Sequence, residues 1–339
     1  MDQNPLRLLR LKGRRHNMAG WFNAIGTWLS NPEVTLSSKL LELLFLVMGL
    51  VTGYVAFKNL LDKENPKRYG TFVFWITLAV VLAFGRFISP MVNGVLILIM
   101  ALAAILRQVG VGKTEGVDPA YSQKMSDRFG YTIFIPTLAI GFSALAFALL
   151  TKLGALVGIG FGVLLAIIIL MLMNRDNKPT TFLNDFTRMI GLIGPLSMLP
   201  MLLASLGAIF TKAGVGDVIA EYVGKVIPEG NVTVGLIVFA LAMPLFTIIM
   251  GNAFAAITVI TVGIGFPFVL QYVNNPTAIG MLALTCGYCG TLCTPMAANF
   301  NIVPVALLEM KDRFGVIKKQ WIPAIFILIF QIIYMFIIK

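Results

Sequence analysis

The chain has 339 residues, 58% of them apolar and only 12% charged, with a mean hydropathy of +0.89. A water-soluble chain of this length has no use for so much apolar surface, so the composition excludes soluble classes and points to a polytopic membrane protein. The formal charge of +11 implies no nucleic-acid partner, because the basic residues sit in short connectors between apolar stretches and form no basic face.

Residues 1–38 stand apart. Arg7, Arg10, Lys12, Arg14 and Arg15 precede Trp21, Phe22, Ile25, Trp28 and Leu29. The apolar run is too short to span and lacks a small-residue cleavage site, so it reads as a basic amphipathic tail on the bilayer surface. Residues 39–210 hold six apolar stretches: Leu40 to Leu61 (with Glu42 near its end), Tyr69 to Gly85, Phe87 to Leu106, Phe129 to Thr151, Leu153 to Asn174 and Met189 to Thr211. Most approach the ~20 residues needed to cross a ~30 Å hydrocarbon core as a helix. Runs such as Leu164 to Met173 do not alternate in polarity, which excludes a β-barrel. Residues 39–210 are therefore expected to form a six-helix transmembrane bundle.

Residues 211–230 predict an interfacial amphipathic helix, with Val215, Val218, Ile219, Tyr222, Val223 and Val226 apolar and Glu221 four residues before Lys225. Residues 231–309 form a nearly charge-free unit, and from Gly230 to Leu308 there is no Asp, Glu, Lys, Arg or His. Residues 310–339 give a cytoplasmic loop and a last transmembrane helix from Gln320. The expected fold is an all-α polytopic membrane protein of about 9 to 10 apolar helical segments, including a re-entrant hairpin and a broken helix.

Orientation follows from sorting lysine and arginine by connector. Lys58, Lys63, Lys67, Arg68, Arg107, Lys113, Lys124, Arg128, Arg175, Lys178, Arg188, Lys311, Arg313, Lys318 and Lys319 share one side. Arg86, Lys152, Lys212, Lys225 and Lys339 share the other. Fifteen against five places the first set, with Asn65, Thr114 and Lys311, in the cytoplasm and Gly214 outside. The basic tail and Lys39 fall on the outer side, against the rule, and still leave a majority of fifteen to eleven.

Within the charge-free unit, Gly251 and Asn252 interrupt Thr247 to Thr258, and Asn274, Asn275 and Pro276 signal a turn. From Thr277 to Leu308 a straight helix would be roughly 48 Å long, more than the membrane accommodates. Its break is expected within Gly287 to Pro304 (GYCGTLCTPMAANFNIVP). Irregular backbone survives in lipid only inside protein or along a cavity, because each unpaired backbone group costs several kcal/mol. A cavity lined by backbone is what a solute site requires. The candidate substrate- or ion-binding residues are Asn252, Thr291, Thr294, Asn299 and Asn301, with interhelical hydrogen bonding as the competing role for each.

At these residues a resemblance enters. Leu61 to Gly70 (LDKENPKRYG), Gly251 to Ile260 (GNAFAAITVI), Gly287 to Pro304 and Leu307 to Asp312 (LLEMKD) resemble a prokaryotic membrane family. Its members are described as one subunit of a two-subunit 5-oxoproline (pyroglutamate) transporter in the ion-transporter superfamily. The resemblance spans Leu40 to Ile338 and departs at Ile257 and Thr258, where that family often has Phe-Pro. It implies a site built from hairpins and unwound helices in inverted repeats, with Val232 to Leu270 as a hairpin and Thr277 to Leu308 as a broken helix. That is one half of such a site; the other half would come from the first six helices or from another chain, and in the latter case a second membrane subunit or a homo-oligomer is the partner. Ser89 to Asn93 faintly echoes Thr294 to Asn299.

Other motifs lead nowhere. Cys286, Cys289 and Cys293 share a helix face, and with His16 far away they make no zinc set, so no metal or other cofactor is expected. Gly110 to Thr114 (GVGKT) imitates a P-loop but has Arg107 in place of the first glycine and no strand before it. Glu42 beside Lys39, and Arg86 between two helices, read as interfacial residues. With no nucleotide motif, coupling would be to Na⁺ or H⁺. The expectation is a non-enzymatic secondary transporter, or a subunit of one, for a small organic anion in a prokaryotic cytoplasmic membrane. A non-transporting assembly subunit is the alternative and an intramembrane enzyme a weaker one, since the charge-free unit offers no catalytic base or metal cluster.

Overall fold

The structure is a computed structural model that describes residues 25–110, 119–174, 176–225, 231–308 and 310–339. The basic residues and Trp21 and Phe22 of the tail, the P-loop-like residues 111–114 with Thr114, and Arg175 lie outside the described residues. Among the described residues the protein is helical throughout and contains no strand. Among the same residues, six helices are long and apolar enough to cross a membrane, and three shorter apolar ones accompany them. It is an all-α, multi-pass membrane protein. The chain divides into two compact units after Gly191.

After a short helical stretch over residues 25–30, the first unit continues with α1 (Leu36–Leu61), whose N-terminus is capped by Thr35 accepting from the Ser38 amide. Next come α2 (Arg68–Phe84) and α3 (Pro90–Ile105), the latter opened by Ser89 as cap and Pro90 in the first turn. A polar helix, α4 (Pro119–Phe129), leads through a 3₁₀ turn into α5 (Ile135–Leu150), which is followed by α6 (Ala155–Met173). The start of α7 (Pro179–Lys212) completes it. Small residues set the helix spacing, as they do where no hydrophobic effect pulls helices together in lipid. A Cβ on Gly49 would lie 2.8 Å from the Ala79 carbonyl oxygen, and one on Gly158 would lie 2.7 Å from that of Ser143.

The two ends of this unit collect different residues. At one end Asn65 Nδ2 donates to the Gly110 carbonyl (3.0 Å) and Lys58 Nζ to Asn184 Oδ1 (2.7 Å). At the other, Ser37 Oγ donates to the Leu153 carbonyl, and Arg86 pairs with Glu42 at 2.9 Å while lying 4.8 Å above the Trp28 ring. This division matches the sorting of connectors by charge. Glu42 and Arg86, read separately from sequence as interfacial residues, are partners.

The second unit contains the end of α7, then α8 (Val215–Gly224), α9 (Val232–Met250) and α10 (Ala253–Ile260). A π-turn (Thr261–Gly265) extends α10 in a helical arm to Tyr272. Beyond it lie α11 (Pro276–Leu292), α12 (Ala298–Leu307) and α13 (Gly315–Ile338). α9 and the α10 arm form the hairpin, and α11 with α12 the broken helix. Each hairpin arm, at 1.5 Å per residue, is about 28 to 30 Å long and could cross the bilayer fully. Leu236, Phe239, Ala240 and Met243 of α9 meet Ala256, Ile260 and Phe268 of the other arm and Ile279, Ala283 and Cys286 of α11 in one buried core.

α8 covers Val215–Gly224 of the segment expected to form an amphipathic helix, and it packs on the hairpin arm. Its Gly216 sits against the π-turn so closely that a Cβ there would be 2.9 Å from Val262 Cγ1. Its polar face stays outward with the Glu221–Lys225 pair at 2.9 Å. The far end of α13 reaches the base of the hairpin, where Lys339 Nζ donates to Thr233 Oγ1 (3.3 Å).

Candidate functional site: the hairpin tip and the helix break

Two interruptions of helix meet in the second unit. α9 ends at Gly251, whose φ of +72° lies in the left-handed region that glycine enters without cost. Asn252 follows in extended conformation, and its Oδ1 accepts from the amides of Phe254 (2.8 Å) and Ala255 (3.3 Å). Asn252 therefore caps α10 and spends its side-chain oxygen on groups that a helix start leaves unpaired.

The break opposite begins at Cys293, the C-cap of α11, and runs through Pro295 to Ala297. A Cβ on Gly251 would stand 2.7 Å from the Met296 carbonyl carbon and 2.8 Å from its oxygen. Glycine is required there twice, for its conformation and for the approach. Thr294 closes the contact: its Oγ1 donates to the Ile248 carbonyl in the last turn of α9 (2.9 Å) and accepts from the Met296 amide (3.2 Å).

Asn301, one turn into α12, is fully buried. It turns back on the end of α11, where Nδ2 donates to the carbonyls of both Thr291 and Thr294 at 2.7 Å each. The Thr291 carbonyl is one that a terminating helix cannot satisfy internally, and Thr294 lies in the break itself. Thr291 is also buried and donates to the Tyr288 carbonyl in its own helix (2.6 Å). Asn299 is exposed on the first turn of α12, and that helix start has no side-chain cap.

Of the five residues singled out in the sequence, the structure joins Thr291, Thr294 and Asn301 in one hydrogen-bonded cluster. It places Asn252 at the adjoining tip and leaves Asn299 beside them, pointing outward. Sequence reasoning missed the aromatic rim, where Phe254 and Tyr288 meet edge to face with centroids 5.9 Å apart. Only a contact between two elements creates that pair. The cysteine row has a packing role: Cys286 is in the core, and Cys289 Sγ lies 3.7 Å from Gln331 Oε1 of α13. On the neighbouring face, a Cβ on Gly290 would collide with the Pro244 carbonyl oxygen, so α9 and α11 touch backbone to backbone.

Chemically, the cluster offers both signs of partial charge without an ionised side chain. α9 and α11 end here and present carbonyls, and α12 starts here and presents amides, each terminus carrying roughly half a charge. A protein family described as "Protein of unknown function (DUF979)" matches residues 42–339. The chain belongs to the DUF979 family. No curated protein and no solved structure matches it. Residues 42–339 take in every helix from early α1 onward, the whole hairpin and the break.

Proposed function

We propose that this DUF979 protein is a secondary transporter, or the larger part of one, moving a small organic anion across the cytoplasmic membrane of a prokaryote at the expense of an ion gradient. The observation that carries the reading is the contact between the hairpin tip at Gly251 and the helix break at Met296, in a stretch with no charged side chain. Broken helices in bilayers are retained where backbone groups meet a solute or line its path.

The anion would sit at the start of α12. The first amides of α10 are already taken by Asn252, whereas the α12 start is uncapped and Asn299 stands exposed beside it. The Ala297 carbonyl accepts from the Phe300 amide (3.0 Å), so the amides of Ala298 and Asn299 are the ones a carboxylate would meet, as helix starts favour. An asparagine amide can also pair both the donor and the acceptor of a lactam ring, so 5-oxoproline, the substrate suggested by the sequence resemblance, suits these groups. Only one hairpin-plus-broken-helix unit is present in residues 231–309, and the complementary half would come from a second membrane subunit or a second copy.

The test is uptake of radiolabelled 5-oxoproline by proteoliposomes holding the purified chain, with and without a co-expressed neighbouring membrane protein. Saturable uptake that requires the partner is the expected result. No uptake of this or other small carboxylates in either preparation would refute the proposal.

A further inference from the structure

Asn301 has one polar group whose position folding does not explain. Both Nδ2 hydrogens are used on the Thr291 and Thr294 carbonyls. Those contacts fix the amide orientation, since the flipped amide would set Oδ1 against two other oxygens at 2.7 Å. Oδ1 therefore points away from both. It is buried, and among the described residues no group donates to it. A buried carbonyl oxygen without a partner is costly to keep, and a cation can satisfy it as well as a donor can.

We infer that Asn301 Oδ1 is a ligand of a monovalent metal cation held at the break between α11 and α12. We also infer that this ion, not a proton, couples to the anion. The second clause rests on the transport reading; the first does not.

Three observations select this class of ligand. The cluster lies at the C-terminus of α11, and Thr294 ties it to the last turn of α9, so two helix ends carrying partial negative charge converge on it. Its oxygens are neutral amide, hydroxyl and backbone groups, which suit a hard cation and not a transition metal. Divalent sites recruit carboxylates, and residues 230–308 contain none.

A proton carrier is missing from the same stretch. Its only titratable side chains are Tyr272, Tyr288, Cys286, Cys289 and Cys293. Ordinary thiols and phenols hold their protons up to about pH 8.5 to 10 and do not exchange them readily near neutrality. A cation at the α11 end and an anion at the α12 start would be neighbours across one break. Each would tighten the other's binding, reciprocally by linkage.

The experiment follows thermal unfolding of the purified, detergent-solubilised chain during titration with NaCl, LiCl or KCl, with choline chloride holding ionic strength constant. The expected result is a saturable rise in melting temperature with at least one alkali ion and none with choline. Asn301→Ala should abolish that rise, and Gly280→Ala, at an open position in α11, should keep it. If Asn301→Ala does not fold, Asn301→Ser serves instead: its short hydroxyl can still donate toward the α11 end but cannot fill the position of Oδ1, and half-saturation should rise tenfold or more. A wild-type response equal in all four salts, or an unchanged alkali response in Asn301→Ala, would overturn the inference. Alkali-specific stabilisation without uptake would sink the transport reading alone. Uptake driven by a pH gradient, in a protein indifferent to alkali ions, would sink the cation alone.

Discussion

Gly251→Ala probes the tip-to-break contact most directly. With φ at +72°, alanine would pay about 1 to 2 kcal/mol for left-handed backbone. Its methyl would also stand 2.7 Å from the Met296 carbonyl carbon and 2.8 Å from its oxygen. Backbone cannot swing aside as a side-chain tip can, so the break must shift and stretch the 2.9 Å bond from Thr294 to Ile248. Overpacking of this kind costs about 1 to 3 kcal/mol, for a total of roughly 2 to 5 kcal/mol. Gly280→Ala in α11 is the control: its Cβ meets nothing within 4 Å, and helix propensity favours alanine there by about 0.5 to 1 kcal/mol. Urea unfolding in mixed micelles should separate the two variants clearly. A Gly251→Ala protein within about 0.5 kcal/mol of wild type, while Gly280→Ala behaves as stated, would refute the contact.

Asn299→Ala should weaken anion uptake by roughly tenfold to a hundredfold, the equivalent of about 1 to 3 kcal/mol for partners left unpaired. Asn299→Asp should be worse because it places a charge beside the anion; uptake kinetics at matched membrane expression decide both. Glu42→Gln should destabilise the first unit by about 1 to 3 kcal/mol, between an exposed pair and a buried one, since the two side chains are only 14% and 32% exposed. A double-mutant cycle with Arg86→Gln should recover a coupling energy, and additive effects would contradict the pairing. On a background lacking the three cysteines, cysteine at the exposed Lys63 or Lys311 should resist an impermeant reagent in whole cells, while cysteine at Lys212 reacts; the opposite pattern inverts the topology. Asp312 is held below the ordinary carboxylate range by the Lys318 hydrogen bond and the Phe314 amide. Its support of the turn before α13 is present above the unfolded carboxylate pKa and lost as pH falls through the lowered one, so the Phe314 amide should lose exchange protection only in acid.

The membrane class, the hairpin and the existence of a break were legible because they are written locally. Gly251, Asn252, Asn275 and Pro295 are residues that stop or start helices wherever they occur, and the lengths between them obey bilayer thickness. Their partnerships were not legible. Nothing in a linear pattern says that Asn301 reaches back ten residues to Thr291, or that Arg86 finds Glu42 across 44 positions. Such pairs depend on how helices are rotated against each other, and a uniformly apolar sequence leaves rotation undetermined. Asn299 and Asn301 look alike in the motif but differ in exposure because two steps along a helix turn a side chain by about 200°.

The π-turn in the second hairpin arm works as a phase corrector. Phe266 N–H reaches the Thr261 carbonyl five residues back, so the arm holds one residue more than an α-helix of the same course needs. Ile260 and Phe268 are eight positions apart, and in unbroken helix they would point about 80° from each other. With one residue looped out they differ by only about 20°, and both reach the buried core. Removing a single residue from Thr261–Gly265 would leave that core in register, whereas the same deletion in α9 would turn Leu236 and Met243 apart. The arm thus carries a spare residue, and Gly216 of α8 rests on it.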